Sequence, residues 1–125
     1  MASILLQIVM SAQLNIDKKL KFFPALESRI ASVSTLEALS REETDQMLLH
    51  RFRRAGSMDP FLVCPSDTMY AIHLSSGGVP RDILVVTEAT MKEAFLQDSD
   101  VMRPHHVEKA VDDLACRRPH HAKAA

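Results

Sequence analysis

Glycine is scarce in this chain: three of 125 residues, two of them adjacent. Cysteine is nearly absent too. Two cysteines, Cys64 and Cys116, are too few for a disulfide framework and suit a reducing compartment. Tryptophan is missing and aromatic residues make up 5%, so no stacking platform for nucleic-acid bases is in view. The formal net charge of −1 leaves no global attraction to nucleic acid or an anionic membrane. No apolar run nears the roughly 20 residues of a membrane-spanning helix. The opening "ASILLQIVM" lacks the basic stretch of a signal peptide and is interrupted by Gln7. A cytoplasmic location is the expectation. What remains, 46% apolar and 25% charged residues, is the composition of an ordinary globular domain.

The patterning predicts a short strand-like beginning followed by helices. "ILLQIVMSA" (4–12) is a β-branched apolar run that reads as a strand buried on both faces. Pro24 opens a short helix through Arg29. "SVSTLEAL" (32–39) reads as a second short strand. From Ser40 the signals are stronger. Ser40 with Glu43 makes a capping box, Leu48, Leu49, Phe52 and Ala55 recur at helical spacing, and Gly56 closes the helix. Further helices are expected from Pro65 or Ser66 to Ser75, from Pro80 to about Gln97, and from near Pro104. Their inward positions include Met69, Ile72 and His73 or Leu74, then Ile83, Val86, Ala89 or Thr90, Ala94 and Phe95, then Val107, Ala110, Val111 and Leu114. Helices of this length on short loops form a four-helix bundle. The fold class expected is mainly α, with two short strands ahead of the bundle. Residues 1–37, 38–116 and 117–125 are expected as a strand-bearing segment, the bundle and a flexible tail.

The glycine pair stands in "LSSGGVPRDILVV" (74–86). Gly77 and Gly78 end one helix with backbone at positive φ, and Pro80 takes the first position of the next. Arg81 then falls in a first turn, where the helix dipole disfavours a cation. The plain reading is a linker with an incidental arginine. The functional reading is an anion docked at the helix start and paired with Arg81.

"SGGVPRDI" resembles the sensor 2 motif at the third lid helix of AAA+ ATPases. Around it, "LEALSREETDQMLLHRFRRAG" is similar to the first lid helix, "CPSDTMYAIHLSSGG" to the second and "VMRPHHVEKAVDDL" to the last. "LLQIVMSAQLNI" resembles the sensor 1 strand, and "FPALESRIASVSTLEAL" the arginine-finger segment and final core strand. The subfamily resembled most is that of bacterial secretion and transposition ATPases. The likeness spans residues 4 to 115.

The resemblance implies a lid that couples ATP state to assembly, with Arg81 on the γ-phosphate and Gly77, Gly78 and Pro80 shaping its turn. It also implies Gln13, with Ser11 as understudy, orienting the attacking water, and Arg29 reaching a neighbouring subunit's nucleotide. For Gln13 the plainer role is a strand-end hydrogen bond; for Arg29, a solvated helix-end cation. ATP, with magnesium, would be the cofactor; neighbouring subunits of a homo-oligomer and DNA or a secretion or transposition component would be the partners. The usual Gly-Gln-Pro is here Ala12-Gln13-Leu14. No phosphate loop and no apolar run ending in Asp-Glu occurs, so the lysine and carboxylates of phosphoryl transfer are absent. The resemblance therefore implies either the C-terminal part of a longer ATPase or a degenerate relative. The alternative is a stand-alone helical interaction or nucleic-acid-binding module with no nucleotide role.

Other patterns carry little. Adjacent His105-His106 and His120-His121 diverge by about 100° on a helix, and Cys116 with His120 is a lone pair where zinc needs three or four ligands. No metal site is expected. Arg51, Arg53 and Arg54 suit a helix C-terminus as well as a phosphate backbone. No nucleophile-elbow motif is present.

Overall fold

A computed structural model describes residues 6–117. The chain divides at the Glu37–Ala38 junction into two units. Among the described residues there are helices and no strand.

The first unit carries two short helices, α1 (Ile16–Leu20) and α2 (Pro24–Glu27), neither with a buried residue. Pro24 does open α2, which ends at Glu27 rather than Arg29. The two expected strands are not formed. Residues 6–12 are irregular and exposed, with Val9 97% accessible; positions 4 and 5 lie outside the described residues. Residues 32–39 are irregular as well. A strand buried on both faces needs neighbouring strands to take its backbone N–H and C=O groups, and within residues 6–37 there are none.

The second unit holds α3 (Arg41–Arg54), α4 (Pro60–Val63), α5 (Ser66–Ser76), α6 (Pro80–Leu96) and α7 (Pro104–Arg117). The middle helix is α5, which packs against α3, α6 and α7, while α6 and α7 form the most extensive pair. Leu48, Met69, Ile72, Ile83, Met102 and Val107 are each at most 2% accessible and form the core. The capping box of α3 is present: Glu43 N–H donates to Ser40 Oγ (3.2 Å) and Ser40 N–H to Glu43 Oε2 (2.8 Å). Buried threonines satisfy their hydroxyls locally. Thr87 and Thr90 donate to the carbonyls of Ile83 and Val86, four residues back. Thr68 Oγ1 reaches across to Met102 O (2.9 Å) and fixes the α6–α7 connection to α5.

Three expected core positions are exposed: Leu74, the alternative to the half-buried His73, with Phe95 and Ala55. Phe95 is 80% exposed, and Thr90 rather than Ala89 faces inward; the stripe of Ile83, Val86, Thr90 and Ala94 turns Phe95 outward beyond its edge. Ala55, at the C-cap of α3, is exposed. Cys64 is fully buried, and burial first, then the Asp45 and Asp67 carboxylates, pushes its thiol up to about 12. The expected tail lies outside the described residues from position 118 onward.

His106 gives this unit a pH dependence. It is buried, and its Nδ1 accepts the Arg103 N–H (3.0 Å), capping α7 as a capping-box glutamate would. An accepting Nδ1 requires the neutral ring. Burial, and then the neighbouring His105, hold its pKa below the ordinary 6.5. A depressed folded-state pKa gives stability that is full above about 6.5 and lost as pH falls below it. The urea midpoint should therefore drop between pH 7.5 and 5.5, and His106→Gln should flatten that drop. The pull of Lys109 on Glu93, whose pKa is lowered from 4.5, adds a loss only at more acid pH.

Candidate functional site

The turn between α5 and α6 is built from residues that leave it little freedom. Gly77 caps α5 in the left-handed region (φ 61°), and Gly78 follows at φ 75°. Val79 is the extended N-cap of α6, and Pro80 is its first residue. Because α6 is 17 residues long, its first turn carries the positive end of a full helix dipole. Arg81 stands there, exposed and in no ion pair among the described residues.

A second contact holds the turn from behind. Leu39 N–H donates to the Gly78 carbonyl (2.8 Å), and a side chain at Gly78 would collide with the Leu39 carbonyl oxygen. Gly77, by contrast, faces open space. The two glycines therefore differ in role: Gly77 is needed for its φ alone, Gly78 also for the close approach. Leu39 is the second residue after the unit junction and precedes the Ser40 cap of α3. Beside it, the guanidinium of Arg41 lies 4.4 Å from the Tyr70 ring centroid, which fixes the entry to α3 on α5.

A cleft of about 160 Å³ lies beneath this end of α6, lined by Ser75, Asp82, Val85, Val86, Val111 and Leu114, with Ala115 at its margin. It is smaller than the 300 Å³ or more usual for an enclosed small-molecule site. Any anion at Arg81 is therefore met on the outer surface.

The other expected site residues lie in the first unit. Gln13 is exposed ahead of α1, and its carbonyl accepts Ile16 N–H (3.0 Å) in a turn, not at a strand end. Ser11 is exposed in the irregular segment. Arg29 is exposed just past α2, its N–H donating to Leu26 O (3.0 Å). Among the described residues no group of three His, Cys, Asp or Glu is placed to hold a metal. His105 and His106 stand ring to ring, 4.0 Å between centroids, and His106 Nδ1 is used in the α7 cap. His120 and His121 lie outside the described residues.

The Leu39–Gly78 bond was not legible in the sequence, since it joins residues 39 positions apart with no pattern to mark them. The α4 helix had a signal: Asp59 before Pro60 is the side-chain cap and first-position proline of a helix start, and Asp59 Oδ1 accepts Phe61 N–H (3.1 Å).

No family model matches the chain, no curated protein matches its sequence and no solved structure matches its fold. Among the described residues no helix is long and apolar enough to cross a membrane.

Proposed function

We propose that the helical unit beginning at Ala38 is the lid of an AAA+-type nucleotide machine, with Arg81 as its phosphate-sensing cation. The observation that carries the reading is the double-glycine turn bonded to Leu39. It sets an unpaired arginine on the first turn of a long helix and ties that turn to the start of the unit. A γ-phosphate drawn to Arg81 and to the N–H groups of α6 offsets the dipole cost of a cation there. Movement of the turn then reaches Leu39, beside the unit junction. Gly77, Gly78 and Pro80 shape the turn and Arg81 makes the contact. Under the same reading Gln13 and Arg29 act at the catalytic water and at a neighbouring subunit, and ATP with magnesium is the cofactor of an oligomer. DNA or a secretion or transposition component would be what the oligomer works on.

The chain by itself should hydrolyse no ATP above background, because it lacks the lysine and carboxylates that hold nucleotide and magnesium. Steady-state turnover that persists through repurification and through Arg81→Ala would contradict this. Sequencing the gene on the 5′ side of the Met1 codon tests the parentage. The reading expects a phosphate loop roughly 80 to 120 residues ahead of Ile4. An in-frame stop with no such loop would favour the helical interaction module instead. That second reading draws on the apolar residues exposed at the far end of the bundle, Met58, Leu62, Phe95 and Leu96.

A further inference from the structure

The end of the bundle remote from Gly77–Gly78 carries the four most exposed large apolar side chains among the described residues of the second unit. There α3 ends, α5 begins, α6 ends and α7 begins. Met58 is 99% exposed, Leu62 69%, Phe95 80% and Leu96 70%. These side chains come from two segments that are fastened together. Met102 N–H donates to Val63 O (2.8 Å) and Thr68 Oγ1 to Met102 O (2.9 Å), which joins α4 to the α6–α7 connection. The two halves of this end differ in net charge, even with Asp59 counted in the α4 half and Arg103 in the other. Arg51, Arg53 and Arg54 close α3 next to the α4 half. Asp98 and Asp100 follow Leu96 in the other half. None of these five groups is in an ion pair among the described residues.

We propose that this end is a self-complementary surface through which two copies of the chain pair. In a two-fold interface each half meets the other half of the partner copy. The α4 half with its arginines would then cover Phe95 and Leu96 with their aspartates, and the same contact would repeat on the other side. Apolar side chains would be buried at the centre and opposite charges matched at the rim, the usual anatomy of a specific interface. A membrane surface or a nucleic acid matches the arginines and is repelled by the aspartates. A second copy matches both halves. The pairing leaves Arg81 at the opposite end and does not depend on the nucleotide reading.

Sedimentation equilibrium of the full chain, wild type and two variants, decides it. Wild type should form a reversible dimer with a dissociation constant in the micromolar range. Leu62→Lys adds a cation to the basic half and Phe95→Asp an anion to the acidic half; each alone should weaken pairing at least about tenfold. Both replace exposed side chains, so helicity should be unchanged by circular dichroism. Mixing the two variants should restore pairing, since one of the two repeated contacts then sets the new lysine against the new aspartate. A wild-type monomer throughout the accessible concentration range would overturn the proposal. So would association that neither substitution weakens, or variants that fail to rescue one another on mixing.

Discussion

Gly78→Val should destabilise the chain by about 3–5 kcal/mol, the largest loss expected from any change at the α5–α6 turn. Two costs add. At φ 75° a β-branched residue is strained, and its Cβ would meet the Leu39 backbone that Gly78 now approaches. Relief requires moving Leu39, which breaks its hydrogen bond to Gly78 and disturbs the Ser40 cap. Gly77→Ala is the control. It pays only for its positive φ, with no neighbour within 4 Å, and should cost about 1–2 kcal/mol. Against a total stability of about 5–15 kcal/mol, the valine variant should lose a far larger share of the folding margin than the alanine variant. Urea denaturation followed by circular dichroism separates them; equal midpoints would show that the Leu39 contact is not a constraint.

Arg81→Ala should have the opposite profile. In the chain alone its effect should lie within about ±0.5 kcal/mol of neutral, because the side chain is exposed and has no ion pair. In a longer ATPase that contains this unit the same change should remove a charge-assisted contact worth about 1.5–3 kcal/mol. That corresponds to a loss of turnover of roughly 10- to 150-fold. Steady-state hydrolysis measured alongside denaturation gives both numbers. Turnover unchanged by Arg81→Ala would remove the arginine from the mechanism. Unfolding of the chain by the same change would make it a structural residue.

Much of the helical unit was legible because its signals are local. Ser40 with Glu43, the Gly77–Gly78 pair before Pro80, and the apolar spacing from Met69 to Ala110 each act within a few residues. The helices begin where those signals stand. The strands at 4–12 and 32–39 failed for the complementary reason. An apolar β-branched run states a preference, but a strand exists only with a partner to complete its ladder. Residues 6–12 have none among the described residues. Hydrophobicity alone predicts Phe95 inside, whereas it stands 80% exposed beyond the edge of the inward stripe. Within the candidate site the turn and Arg81 could be read, since glycine and proline state their conformations. The bond from Leu39 could not, since long-range contacts leave no spacing to find. Nor was His106 foreseen as the cap of α7, a place where glutamate is the usual residue.

The central claim is that Arg81, on its clamped turn, receives a phosphate. Amide chemical shifts of the 125-residue chain titrated with ATP, in the absence of any other component, test it most directly. The account predicts saturable shifts confined to about Gly77 through Ile83, spreading to Leu39 through its bond to Gly78. The affinity should be in the millimolar range expected of one arginine and one helix end. Arg81→Ala should abolish them and leave the rest of the spectrum in place. Shifts centred instead on Arg51, Arg53 and Arg54, or shifts at the turn that survive Arg81→Ala, would contradict it.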